Sequence, residues 1–80
     1  MPTVIRKNGF RFQIFTDDHE PAHVHFFKAG KEVVINLGSE AAKPWVRENN
    51  GMKRADQDQA VIIASKYQDY LLGKWRQIHG

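Results

Sequence analysis

The hydrophobic rhythm of this chain changes once, and that change limits its fold more than any other feature. In the first half, apolar residues recur at every second position: Phe10, Phe12 and Ile14 share one side of an extended segment, Arg11 and Gln13 the other. From about Ala55 the spacing becomes three to four, and Ala60, Ile63, Ala64, Tyr67, Leu71, Trp75 and Ile78 form one helical stripe. A sheet with one apolar face and a helix with one apolar stripe each need something to bury against. Together they predict a two-layer α+β domain.

Turn signals divide the first half. Residues 3–6 favour strand, and Asn8-Gly9 between β-prone runs predicts a tight hairpin into residues 10–14. A polar loop over residues 16–21 ends in Pro21, which cannot donate to a central ladder, so a third strand starts just after it. Val24 and Phe26 then face one way, and His23, His25 and Phe27 the other. Ala29-Gly30-Lys31 turns the chain into residues 32–37, where Val33, Ile35 and Leu37 align. The expectation is an antiparallel sheet of four strands from two hairpins, packed against one long C-terminal amphipathic helix. Residues 44–48 are a candidate fifth strand at an edge. Asp56 and Gln59 have the spacing of a capping box at the helix start. Trp45 and Trp75 are expected to anchor the core, and Gly73 costs the helix about 1 kcal/mol relative to alanine.

Eighty residues make one domain, 1–80, with little surplus burial, and the absence of cysteine excludes disulfides and thiolate metal sites. No run has signal-peptide character, and the longest aliphatic stretch, residues 60–64, is far short of the roughly 20 residues of a membrane helix. A cytoplasmic protein without a membrane partner is expected. Twelve Lys and Arg against nine Asp and Glu give a net charge of +3, compatible with a polyanionic partner or simply with solubility.

The most unusual segment is residues 17–25, which holds three of the four histidines and three carboxylates. On an extended strand His23 and His25 share a face at a spacing of about 6.7 Å. Both rings can bend toward one ion, with His19 or a carboxylate closing the site from the loop, in a donor set suited to zinc, nickel or copper. The bland alternative is that these histidines are hydrogen-bonded packing residues. A third reading is acid–base chemistry on RNA, with His23 and His25 transferring protons and Arg11 binding phosphate. Alternation puts Arg11 and Gln13 on the polar sheet face with Phe27; with Arg6 and the loop residue His19 they are the candidate substrate-binding residues, and Phe15 and Phe27 are available to stack bases. None of these readings requires an organic cofactor.

The segments 1–6, 8–12 and 19–25, with Leu71-Leu72-x-x-Trp75, resemble the bacterial domain-of-unknown-function family DUF4160 over nearly the whole chain. The His19-x-Pro21-x-His23-Val24-His25 element is the specific part. The resemblance directs attention to His19, Pro21, His23 and His25, with Arg6, Gly9 and Arg11 beside them. It implies a small stand-alone protein, one half of a toxin–antitoxin-like pair whose partner is a small cognate protein encoded nearby. Three functions follow as expectations: a component that acts on or binds RNA through a His- and Arg-bearing sheet face, a non-catalytic protein-interaction module, and a metal-binding protein. A homodimer is open as well, because a small core gains from extra burial.

Overall fold

The computed structural model describes residues 3–39 and 41–79, with backbone alone at Thr3 and Val4. Met1 and Pro2, which contribute to the resemblance, lie outside the described residues.

Two tight turns set the sheet. Asn8 and Gly9, at φ 53° and 80°, join β1 (Thr3–Lys7) to β2 (Phe10–Ile14). Ala29 and Gly30, at φ 51° and 77°, join β3 (His23–Lys28) to β4 (Lys31–Asn36) in the same way. Two consecutive left-handed residues make the turn whose twist matches that of paired strands. Strand β5 (Trp45–Asn50) completes a five-stranded antiparallel sheet in the order β1-β2-β3-β4-β5. A register shift between Val34 and Ile35 marks its pairing with β4.

Period-two alternation sorts the side chains. Phe10, Phe12, Ile14, Val24, Phe26, Val33, Ile35 and Leu37 are buried on one face, where they meet Ala60, Ile63, Ala64, Leu71 and Trp75. Phe12 stacks on Phe26 with ring centroids 4.4 Å apart, and Phe10 meets the same ring edge-on. Burying each such side chain contributes about 1.5–3 kcal/mol. Among the described residues α1 (Arg54–Lys66) and α2 (Gln68–His79) both supply this first face, and α2 meets the other at its margin, where the ring centroids of Trp75 and His23 lie 5.2 Å apart.

Three expectations need correction. The C-terminal helix is two segments, interrupted at Tyr67 (φ −108°, ψ 21°), although Tyr67 N still donates to Ile63 O and Leu71 N to Tyr67 O. At this break Gln68 Nε2 donates to the carbonyls of Leu37, Ser39 and Ala42 at 2.8–3.0 Å and fixes the loop between β4 and β5. Asp56 does not cap. The helix starts earlier, with Lys53 as its N-cap residue, and Asp56 in the first turn accepts from Lys28 Nζ at 3.1 Å. Asn49 instead holds the approach to the helix, bonding both the amide and the carbonyl of Met52. Trp75 is a core residue, but Trp45 is 49% exposed, because β5 lies at the sheet edge and only one neighbouring strand flanks it.

Beside the break, the Tyr67 hydroxyl is held below its ordinary pKa, first by a hydrogen bond with Lys7 and then by the charges of Lys7 and Lys66.

Candidate metal centre

Alternation along β3 sends His23 and His25 to the face opposite the helical layer, with His23 at its margin against the Trp75 ring. Gln13 and Val34 flank His25 across the neighbouring strands, and Asn36 lies opposite His23. The loop before β3 supplies the third group. Phe15 N donates to Asp18 Oδ2 at 3.1 Å and Asp18 N donates to Phe15 O at 3.2 Å, a reciprocal turn that fixes the carboxylate. The end of α2 clasps this loop. Trp75 Nε1 donates to Glu20 Oε1 at 3.0 Å, and His79, stacked on Trp75, places Nε2 3.1 Å from Phe15 O.

The hydrogen bonds assign the two imidazoles. His23 Nδ1 lies 2.8 Å from Pro21 O, and a carbonyl only accepts, so Nδ1 carries the proton. His25 Nδ1 lies 2.9 Å from Glu32 Oε2 and donates to it by the same logic. Each ring therefore turns Nε2 toward Asp18, at 3.5 Å from Oδ1 for His23 and 3.3 Å from Oδ2 for His25. These approaches are close, yet His25 Nε2 is buried and lacks an aligned hydrogen-bond partner. Asp18, His23 and His25 each offer a ligand atom within 4.8 Å of the others. With bonds of about 2.0–2.2 Å, neighbouring ligands on tetrahedral zinc stand roughly 3.3–3.5 Å apart, a length that each Asp18–His contact matches through a different carboxylate oxygen, Oδ1 for His23 and Oδ2 for His25.

The group opens into a cavity of about 320 Å³ lined also by Asp17, His19, Glu32, Arg47 and Glu48. Four carboxylates against one guanidinium make it acidic in a chain of net charge +3. Arg47 Nη1 stands 3.2 Å from His23 Nδ1; both are donors once Nδ1 serves Pro21, so this is a contact between a guanidinium and the ring, not a hydrogen bond.

The structure brings His23 and His25 together as expected from their spacing, but His19 stays at the exposed rim while Asp18 takes the loop position. Arg11 and Arg6 are not at the histidines. They lie opposite one another on β1 and β2, in a groove with Gly9 and Phe27. Phe27 and Phe15 are half-buried against His25, with ring centroids 6.3 and 4.8 Å from it. Sequence reasoning missed Glu32 and Arg47. Glu32 was within reach, since the Ala29-Gly30 turn and alternation put it on the histidine face, diagonal to His25.

A protein-family model described as "Domain of unknown function (DUF4160)" matches residues 9–76. The chain belongs to the DUF4160 family. The match spans β2 to nearly the end of α2 and so contains the whole Asp18–His23–His25 group, together with Glu32 and Arg47. No curated protein and no solved structure matches the chain.

Proposed function

We propose that this DUF4160 domain is a divalent-metal-binding protein whose centre is Asp18, His23 and His25. One observation carries the reading: both rings commit Nδ1 to an acceptor and turn Nε2 toward one carboxylate across 3.3–3.5 Å. Between an imidazole Nε2 and a carboxylate oxygen at that distance stands either a second ring proton, giving an ion pair, or a metal ion; the buried Nε2 of His25, which has no aligned hydrogen bond, favours the metal. Metal-binding histidines characteristically donate their second nitrogen to a carbonyl or carboxylate, as Pro21 O and Glu32 accept here. The acidic lining adds to the attraction.

Two nitrogens and one carboxylate suit zinc, nickel, copper or ferrous iron. Three protein ligands leave a coordination position open, as in catalytic rather than structural sites, and a bound metal there lowers the pKa of water toward neutrality. In an acidic cavity the metal also supplies the positive charge that a phosphate or carboxylate substrate would need. Arg47 at the rim adds to it.

The test is titration of metal-free protein with Zn²⁺, Ni²⁺ and Mn²⁺ by calorimetry, paired with thermal melts. One ion per chain is expected, and none in His25→Ala or Asp18→Asn. At a free metal concentration 100 times Kd, binding stabilises by about 2.7 kcal/mol. For a domain this small, that raises the melting temperature by roughly 10–20 °C. No uptake and a flat melt with all three ions would reject the centre.

A second reading rests on the same dyads. Asp18 beside His23, and Glu32 on His25, are carboxylate–imidazole pairs of the kind that serve general acid–base cleavage of RNA. It predicts RNA cleavage in the presence of EDTA that His23→Ala and His25→Ala each abolish.

A further inference from the structure

The residues at the hairpin ends form a second site that does not depend on a bound cation. Arg6 and Arg11 are direct cross-strand partners on β1 and β2. Like charges placed opposite one another destabilise a sheet. Among the described residues neither arginine forms an ion pair, whereas Lys28, in the same groove, is engaged by Asp56 at 3.1 Å. Both arginines are exposed, so one anionic ligand can reach the two guanidinium groups from solvent. Arg11 is also held in place: its guanidinium lies over the Phe27 ring, 5.0 Å from the centroid. A planar cation fixed on an aromatic face loses less freedom when it binds, and offers its outer side for bidentate contact or stacking. The groove between the turns has a volume of about 550 Å³.

Phe27 in turn lies nearly parallel to His25, at 12° and 6.3 Å between centroids. His25, Phe27 and Arg11 therefore make one continuous row from the acidic cavity to the paired arginines, on the sheet face opposite the helical layer. A flexible polyanion carrying planar groups matches that surface: phosphates at Arg6 and Arg11, a base against the outer side of the Arg11 guanidinium. A rigid duplex presents no unstacked base to the row. We propose that Arg6 and Arg11 form a clamp for the backbone of a single-stranded nucleic acid lying along this row.

Fluorescence anisotropy with a labelled 12-nucleotide strand, as RNA and as DNA, tests the clamp in low-salt buffer containing EDTA. Binding is expected to weaken at least tenfold in Arg6→Ala/Arg11→Ala, to be intermediate in Arg11→Lys, and to be nearly unchanged in Lys66→Ala, which removes an exposed charge from α1. Losing two phosphate contacts should lower the salt slope by about 1.4 for single strands. The RNA and DNA arms tell which sugar is preferred, and binding to either supports the clamp. Arg6→Gln should not lower the melting temperature, because it removes a repulsion. Three outcomes overturn the proposal: undiminished binding by the double variant, equal binding of a duplex or of heparin, and no binding of either strand. Because every arm contains EDTA, failure of the metal centre leaves the result unaffected.

Discussion

Glu32 does for His25 what the Pro21 carbonyl does for His23: it accepts the hydrogen bond of Nδ1–H and fixes which nitrogen faces Asp18. It is a positioning residue, and Glu32→Ala should weaken metal binding about 10–100-fold. The melt of the metal-free variant should change little, since Glu32 is only partly buried; a loss of apo stability that matched the loss of affinity would make its role structural. The pairing of His23 with His25 was legible because period two on a strand places alternate residues on one face. The third group was not. Asp17, Asp18 and His19 are adjacent in a loop, and only the reciprocal bonds between Phe15 and Asp18 select one of them. Arg47 was further out of reach, since its approach to His23 depends on a long connection and on the register shift between Val34 and Ile35.

At the scale of elements, Asn8-Gly9, the alternation in β2 to β4 and the stripe from Ala60 to Trp75 stated the architecture in advance, because each is a local pattern with one geometric solution. Trp45 and the break at Tyr67 depended on tertiary context: one on which strand became the edge, the other on how the helix meets the loop it holds. Gly73 shows the same limit from another side. A Cβ built there meets nothing within 4 Å, so close approach to the sheet does not explain it. Gly73→Ala should then stabilise the domain by up to about 1 kcal/mol. Denaturant unfolding would register this as a higher midpoint at unchanged slope. A destabilised variant would mean that α2 needs a distortion at that turn.

For the molecule as a whole, charge is divided unevenly over one face. An acidic cavity sits at the end of β3 near the C-terminal helix, and Arg6 and Arg11, without an ion pair among the described residues, sit by the hairpin turns. On the two proposals above, a cation and a polyanion would occupy the same sheet without competing. Metal requires neutral imidazole, so binding releases protons and acid opposes it. The thermal shift produced by Zn²⁺ should accordingly shrink as the pH is lowered from 8 to 5 while the metal-free melt changes less. A shift of constant size over that range would place the ion on carboxylates alone.

The grip of Trp75 and His79 on the loop at Phe15 and Glu20 makes the final turn of α2 part of the same opening unit as Asp18, although some sixty positions separate them along the chain. If that turn frays, the carboxylate loses its frame. Amide hydrogens at the foot of the loop and in that turn should then exchange with solvent at a common rate, and bound zinc should slow both together.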